Sequence, residues 1–365
     1  MIIATKMVES QKDSQPHMII SIEVPIISKT KSSLTLILKN FHAGYFRISL
    51  SLSSQALLWK ILKEPIQDAH ALRRVFSLMP STAFTLLWSF SLLTLLAFSL
   101  LYLLRCFFHF HMVKDEFLNR VRVNYLFAPW ISCLLLLESS PFLHRTAICH
   151  QVLWCVLVVP VLALDLKIYG QYLTKGKRYL AMVGNPTSQL TVIGNLVGAQ
   201  AAARVGWRES AVGLFGVGMA HYIVLFVTLY QRLSGEHGGG VPATLRPVLF
   251  LFFGAPSVAS LAWGSIIGHF DSACKMLFFL SLFLFMTLVT RPVIFKKAMR
   301  KFDVAWWAYS FPLTALALAS SQYAEEVKGA MPQALMLLLS AISVVVSLLL
   351  MVVTVLHANL PFLEH

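Results

Sequence analysis

Few residues in this sequence have the types and spacing that catalysis or metal binding requires. His109-Phe110-His111 suggests a metal site, but imidazoles at i and i+2 of a helix do not face one site, and no third ligand lies near. Gly213-x-x-Gly216-x-Gly218 imitates a phosphate-binding loop, yet it lies inside an apolar helix and follows no strand. No nucleophile is accompanied by a base, and no paired carboxylates mark a cleft. The sequence therefore predicts no enzyme, no metal site and no cofactor.

Small and polar residues inside the apolar segments are interpreted as packing residues. The glycines named above, and Gly194-x-x-x-Gly198, permit two helices to approach closely. The five cysteines have no paired spacing and are read as small apolar core residues. His221 and His357 are expected to be neutral, hydrogen-bonded core residues, and a position facing a pore is the alternative.

The elements that carry these residues are membrane helices. Of 365 residues, 57% are hydrophobic and only 13% are charged, with a mean hydropathy of +0.72, which is far from a soluble enzyme. Although 30 Lys and Arg face 16 Asp and Glu, the cations form no stripe, so nucleic acid is not a predicted partner. We predict an all-α membrane protein with a cytosolic tail at 1–40, a ten-helix membrane domain at 41–358 and a short tail at 359–365. The predicted helices cover 42–62, 81–109, 123–138, 146–164, 181–203, 208–231, 244–268, 272–295, 303–323 and 332–358.

The distribution of Lys and Arg predicts the orientation. Loops that follow even-numbered predicted helices hold 15 of these cations, and loops that follow odd-numbered ones hold 9. Cations are enriched in cytoplasmic loops. The bias places both termini in the cytosol, as an even number of spans requires.

A repeat alternates along the helices. Even-numbered helices are uniformly apolar, whereas odd-numbered ones are expected to be broken near the middle by Pro129, Pro186, Pro256 and Pro312, spaced 57, 70 and 56 residues apart. The first helix has Gly44 instead, followed by a run of serines and a glutamine at 49–55. A backbone carbonyl freed by proline must be satisfied inside protein or by water. We therefore predict five inner helices around a pore lined by kinks, Ser, Thr, Gln and aromatic rings, inside five outer helices; simple helix packing is the alternative for any single proline.

The charges inside this domain favour anions. Glu138, Glu209, Asp271, Glu325 and Glu326 are placed at helix ends or in loops, whereas Arg47 falls within the first turns of the first helix. A path without carboxylates and with an arginine disfavours cations. No buried acidic relay residue for a proton-coupled carrier is evident. A lipid-headgroup anchor is the alternative role for Arg47.

Several strings resemble the plant slow-type anion channels and, more distantly, the tellurite-resistance/dicarboxylate-transporter family. They are Phe127-Ala-Pro129-Trp130, Leu166-Lys-Ile-Tyr-Gly-Gln171, Asn185-Pro-Thr-Ser188, Val192-Ile-Gly-Asn195, Ala220-His-Tyr222, Val227-Thr-Leu-Tyr-Gln-Arg232, Ala255-Pro-Ser257 and Ala305-Trp-Trp-Ala-Tyr-Ser-Phe-Pro312. The resemblance runs over about residues 41–358. It implies five helical hairpins around a pseudo-fivefold pore, a homotrimer, and passage of chloride or nitrate across the plasma membrane in anion efflux and ion homeostasis. It also implies that Phe311 is the gate. Without the resemblance, the preferred interpretation is that Phe311 is a core residue packed against Trp307.

The chain departs from that family in two places. Its tails are shorter than the tails of family members that are under strong kinase control. The predicted sites for protein kinases are therefore limited to Ser28, Thr30, Ser32 and Ser33, which lie in a basic patch. Arg47 stands where the guard-cell type has a small residue. An electrically silent subunit that modulates a paralogous channel in a heteromer, and a carrier for small organic acids, remain alternatives.

Overall fold

The computed structural model of the protein describes residues 35–63, 81–142, 148–174, 184–233, 242–300 and 302–359. In these ranges the regular structure is helical throughout, without a strand. The predicted all-α class is confirmed. The predicted phosphorylation sites Ser28, Thr30, Ser32 and Ser33 lie outside the described residues.

Ten long helices follow one another in the described ranges. They are α1 (Phe46–Lys63), α2 (Ser81–Phe108), α3 (Phe127–Ser139), α4 (Ile148–Thr174), α5 (Gln189–Val205), α6 (Arg208–Leu233), α7 (Leu251–Ile267), α8 (Ser272–Val289), α9 (Ser310–Val327) and α10 (Ala330–Asn359). The described ranges also hold two short helices. Phe110–Leu118 lies where the sequence predicted a loop, and Val293–Lys296 lies at the predicted end of the eighth helix. Residues 35–40 are also helical, so the last part of the predicted tail at 1–40 is ordered as helix.

The helices pair as five hairpins. Each odd-numbered helix packs along the even-numbered helix that follows it, α1 on α2 through α9 on α10. The odd-numbered helices also contact one another in a closed ring, in the order α1, α3, α5, α7, α9 and back to α1. Between 11% and 39% of the residues are buried in the apolar stretches of the five even-numbered helices, against 78% in α7. The inner ring and outer layer that the alternating composition predicted are therefore present.

Fewer helices meet the length and hydropathy that a membrane span needs than the ten counted above. Within the described residues, six helices are long and apolar enough to cross a membrane: the five even-numbered ones and the segment Leu245–Ile267. A seventh arises if Phe110–Leu118 and Arg122–Ser139, which are bent by 109° at their junction, form one span. The other inner helices fall short because their α-helical parts are short, as in α3, or rich in Ser, Thr, Asn and Gln, as in α1 and α5. The ten-span topology stays a prediction.

A 3₁₀ segment precedes each inner helix, and this corrects the expected position of the prolines. The segments are Ala43–Tyr45, Arg122–Leu126, Pro186–Ser188, Ala243–Phe250 and Val304–Tyr309. Pro186 begins its 3₁₀ segment, and Pro129 and Pro312 are the third residues of α3 and α9, so three of the four prolines do not break a helix near its middle. They lie near the point where backbone hydrogen bonding changes from the 3₁₀ to the α-helical pattern. Proline has no N–H to donate, and it disturbs a helix least near the helix start, where N–H groups lack intrahelical partners anyway. Of these four prolines, only Pro256 lies in the interior of its α-helix, α7.

The turn between α7 and α8 is held by one carboxylate. Asp271 caps α8 by accepting a hydrogen bond from the Cys274 N–H at 2.9 Å, and it accepts a second from the Trp263 indole at 3.1 Å. Desolvation raises the pKa of Asp271, but these hydrogen bonds outweigh it and lower that pKa below the usual aspartate value. The ionised carboxylate is thus the form that holds the turn.

Candidate functional site

The starts of the five inner helices meet at one end of the ring. Their 3₁₀ segments contact one another in the same cyclic order as the helices themselves. The N-terminus of a helix carries unpaired N–H groups and a partial positive charge. Five such termini around one opening create a positive potential there, which attracts anions.

The outward face of α9 is identified by its hydrogen bonds to α10. Ser310 shares a hydrogen bond with Ser347 at 2.7 Å, and Thr314 shares one with Ser343 at 2.9 Å. Trp307, in the 3₁₀ segment before α9, packs with Leu52 and Leu350. The remaining faces of α9 are therefore turned to its neighbours in the ring and to the axis.

One of these faces runs the whole length of α9. Phe311, Ala315, Leu318 and Gln322 are spaced i, i+4, i+7 and i+11, so they share one stripe, about a quarter turn or more from Ser310 and Thr314. Gln322 lines a cavity of about 420 Å³ at the C-terminal end of the ring. Phe311 lies on the same face as this cavity-lining residue, three turns below it, and is only 3% exposed.

Matching stripes exist on α1 and α5. On α1, Arg47, Leu50, Ser54, Leu57 and Ile61 share a face that ends at the same cavity. On α5, Gln189, Ile193, Gln200 and Arg204 share a face that also ends there, away from Gly194 and Gly198, which pack against α4 or α6. The α5 stripe has polar residues at both ends, the α1 stripe begins with Arg47 and the α9 stripe ends with Gln322. Apart from Ser54 and Gln200, the stripe residues between the ends are apolar. The interior of the ring is therefore mainly apolar in its middle section.

At the N-terminal end, Arg47 is buried against protein. Its Nε donates to the Gly44 carbonyl at 2.8 Å, and its guanidinium lies 4.7 Å from the centre of the Tyr125 ring. The residue is 8% exposed, which disagrees with the alternative of a lipid-headgroup anchor. Gly44 leaves room for these side chains: a β-carbon would lie 2.6 Å from the His42 ring and 3.1 Å from the Arg47 guanidinium, so a side chain here would have to move.

Hydrogen-bond donors without acceptors lie near this end. The Gln189 side chain is completely buried, and its amide nitrogen makes no hydrogen bond within the described chain; the same is true of Nη1 of Arg47 and of the Ser188 hydroxyl. Buried donors are normally paired. Unpaired donors at a positive helix-terminus ring fit an anion as the missing acceptor. Sequence reasoning missed Gln189, although its position just after Asn185-Pro-Thr-Ser188 was a usable signal.

At the C-terminal end, a buried ion pair joins two inner helices. Glu138 of α3 pairs with Arg204 of α5 and accepts a hydrogen bond from the Gln200 amide at 3.2 Å. The Lys60 ammonium donates to the Glu138 carbonyl at 3.0 Å. Sequence analysis placed Glu138 correctly at a helix end but missed this pairing, because its partners are distant in sequence.

The serines of α1 are mostly not on the inward stripe, which corrects the expectation that they line the axis. Ser49 bonds Ser132 of α3, Ser53 bonds Ser91 of α2, and Ser51 donates to the Trp307 carbonyl. The Gln55 amide donates to hydroxyls of α9 and α10, including Thr314 at 2.9 Å. In an apolar medium such groups join helices because no water competes for them.

The five acidic residues that the sequence placed at helix ends or in loops lie there, but the expectation that the membrane domain holds no buried acidic residue is wrong. α4 continues ten residues beyond its predicted end at 164, so Asp165 lies within a helix and is buried. It packs toward Asn195, on the outward face of α5, and so lies off the inward stripes. Glu116 is buried as well, bonded to the Ala43 N–H at 2.7 Å and paired with Arg105 at 3.4 Å.

Two of the other positions singled out in the sequence pack closely against neighbouring helices. Pro312 is in close contact with α7, since a β-carbon on Gly254 would lie 3.1 Å from Cβ of Pro312. Of the three glycines on α6, only Gly218 packs closely, against Asn195 and Leu196, while Gly213 and Gly216 face open space, so the packing role fails for those two.

The histidine and cysteine expectations need similar corrections. His109 stands at the break between α2 and the next helix, and the described residues hold no group of three potential metal ligands. His221 is half-buried and stacked on Tyr169, and His357 is exposed, so neither is a core residue. Only Cys274 of the five cysteines is buried, and all five are free thiols.

Comparison with known proteins decides the family. The SLAC1 family model, described as a voltage-dependent anion channel, matches residues 40–355. The chain belongs to the SLAC1 family. S-type anion channel SLAH1 of Arabidopsis thaliana is 55% identical over 322 residues, covering 88% of this chain and 83% of that relative. S-type anion channel SLAH4 of the same plant is 53% identical over 321 residues, covering 88% and 85%. Guard cell S-type anion channel SLAC1 is 45% identical over 324 residues, 88% of this chain but 56% of the relative.

Membership of the SLAC1 family agrees with the ring described above. The match ends within α10 and begins just before the first 3₁₀ segment, so it contains all five hairpins. The chain is a multi-pass membrane protein of an anion-channel family.

Proposed function

We propose that this protein is a slow-type anion channel that passes chloride and nitrate across the plasma membrane, with both termini in the cytosol, in anion efflux and ion homeostasis. The observation that carries the proposal is the ring of five helix N-termini. Together with Arg47 and Gln189, it offers donors and positive potential at one mouth. The family and its relatives' names support the ion class.

Within that proposal, Phe311 is the gate. Phe311 is the first residue of the α9 stripe, one turn before the apolar Ala315, and it is only 3% exposed. A narrow apolar constriction resists wetting and stops ions without a charged plug. The 3₁₀-to-α junction at Ser310, and the contact of Pro312 with Gly254, give α9 a point at which to turn the ring. Gly44, Pro129, Pro186 and Pro256 shape the other inner helices in this scheme.

Two-electrode recording from oocytes that express the chain alone tests the channel function. The expected result is an anion current that scales with driving force and reverses near the chloride or nitrate equilibrium potential. A flux that saturates at carrier rates, with no resolvable current, would instead favour the organic-acid carrier. Asp165, the buried acid that such a carrier would use as a relay, lies between an outer and an inner helix and off the inward stripes.

A silent modulatory subunit is the second candidate, and Arg47 favours it. A buried arginine at the N-terminal mouth would narrow the entrance. Absence of current from the chain alone, with an altered current when it is mixed with a long-tailed relative, would replace the first candidate by this one.

The assembly and its regulation are part of the proposal. We propose a homotrimer, or a heteromer with paralogous subunits, and modification by protein kinases at Ser28, Thr30, Ser32 or Ser33. Cross-linking of the purified protein counts the subunits. A cysteine introduced at Lys12 tests the orientation, since labelling by an impermeant external thiol reagent would contradict cytosolic termini.

A further inference from the structure

A lipid-side groove of about 340 Å³ lies outside the ring, between α8, α9 and α10. Its walls are almost wholly apolar and include Phe250, Val289, Phe295, Leu313 and Leu349. Leu349 is 58% exposed and Val289 is 49% exposed, so the groove opens outward in the described chain. An elongated apolar groove on the outside of a membrane protein has the chemistry of an acyl-chain site.

The segment that forms one wall of this groove is rich in positive charge. Arg291, Lys296, Lys297 and Arg300 are all exposed, and the stretch 272–302 contains no Asp or Glu. Each groove residue of this segment has a cation as its chain neighbour: Pro292 follows Arg291, Phe295 precedes Lys296, and Met299 precedes Arg300. The charge bias predicts that this segment is cytosolic, where a membrane exposes its anionic lipids.

Two further features place this segment at the membrane interface. Val293 is 78% exposed beside the same cations, which is typical of a segment that lies at the headgroup level. Tyr309, which lines the groove, has a buried hydroxyl without a hydrogen-bond partner. A tyrosine with an apolar ring and a free hydroxyl suits the boundary between acyl chain and ester, because it can donate to an ester oxygen.

We propose that this groove binds one anionic phospholipid, with an acyl chain between α8, α9 and α10 and its phosphate on Arg291, Lys296, Lys297 and Arg300. Charge complementarity carries the choice of occupant, since a second copy of this chain would have to bring an acidic face to the same segment. The occupant would touch Trp306 and Tyr309 in the 3₁₀ segment before α9 and Leu313 in α9, so its contacts flank Phe311 on both sides along the chain. The lipid therefore contacts the segment that bears the candidate gate.

The test is native mass spectrometry of the purified full chain titrated with dioleoyl phosphatidic acid or dioleoyl phosphatidylcholine. Wild type is expected to bind phosphatidic acid at least tenfold more tightly. The variant Lys296→Gln/Lys297→Gln should lose about thirtyfold in affinity for phosphatidic acid, at about fivefold for each removed cation. The control Lys39→Gln/Lys114→Gln removes two exposed cations predicted to lie on the same membrane side and should change it little.

A second pair of variants tests the groove itself. Leu349→Trp fills it and should reduce phosphatidic acid binding at least tenfold, whereas the neighbouring Leu348→Trp, which is 54% exposed but does not line the groove, should not. Both positions are exposed, so both variants should fold, as a monodisperse elution profile would show. Equal binding of the two lipids, or loss by the control variants alone, would overturn the proposal. So would a change of oligomeric state in Leu349→Trp with lipid binding intact, because that result assigns the face to a second copy.

Discussion

The contact between α7 and α9 can be tested with a single methyl group. In Gly254→Ala the added β-carbon would lie 3.1 Å from Cβ and 3.4 Å from Cα of Pro312. The first distance is tighter than an ordinary contact between carbons, and the second atom belongs to the backbone, so α7 and α9 must move apart. Gly216→Ala is the matched control, because its β-carbon meets no atom within 4 Å.

The magnitude follows from two opposing effects. Replacing a helical glycine by alanine stabilises a helix by about 0.8–1.0 kcal/mol, and both variants gain this. Overpacking costs about 1–3 kcal/mol, and only Gly254→Ala pays it. The two variants should therefore differ by about 1–3 kcal/mol in the free energy of unfolding, with Gly216→Ala the more stable and equal to or better than wild type.

Thermal denaturation of the detergent-solubilised protein, followed by size-exclusion chromatography, ranks the three proteins. Because Gly254 touches the residue after Phe311, Gly254→Ala should also change the anion current per channel at the surface. Equal stability of the two variants would refute the close approach of α7 to Pro312, and with it the idea that this contact sets the position of the Phe311 ring.

Three more perturbations follow from the geometry. Arg204→Gln should destabilise the protein by about 3–5 kcal/mol, because it leaves Glu138 buried without its cation. Adding Glu138→Gln should restore most of that loss. Equal melting temperatures of the single and double variants would contradict the pairing. Arg47→Gln removes the cation at the N-terminal mouth and should lower chloride current several-fold at unchanged surface expression, whereas unchanged current in every anion would exclude it from the conduction path. Because the pKa of Asp271 is lower in the folded protein, its contribution to stability is present above the pKa of the unfolded chain, about pH 4, and is lost as pH falls through the lower pKa of the folded state. Asp271→Asn should therefore lose less stability than wild type between about pH 5 and pH 3. Parallel curves of stability against pH would contradict this.

Much of the architecture was predictable because the composition of each helix depends on whether it faces lipid or the protein interior. The uniformly apolar segments became the exposed outer helices, and the segments with Pro, Gly and polar residues became the buried ring. The direction of each side chain was not predictable in the same way. Ser49, Ser51 and Ser53 were expected to face the axis, but the rotation of α1 turns them toward neighbouring helices, and a single sequence does not fix that rotation.

Helix ends were the other source of error. Asp165 was overlooked because the predicted fourth helix stopped one residue before it, and the prolines were expected in helix centres because a 3₁₀ segment and an α-helix read as one apolar run. Pairs between distant segments, such as Glu138 with Arg204, depend on the tertiary arrangement alone. The gate role of Phe311 was predicted only from the family resemblance and stays a prediction, since apolar periodicity does not distinguish an inward ring from a packed core ring.

The central claim is that an apolar ring on the inward face of α9 closes an anion pore. The most direct test is the chloride and nitrate current of Phe311→Ala in oocytes, normalised to surface protein and compared with wild type alone and with a long-tailed relative. The gate predicts a larger, stimulus-independent anion current from a normally expressed protein. If Phe311 is a packing residue, truncation leaves a cavity that costs about 3–5 kcal/mol. Reduced surface protein without any gain of current would then contradict the account.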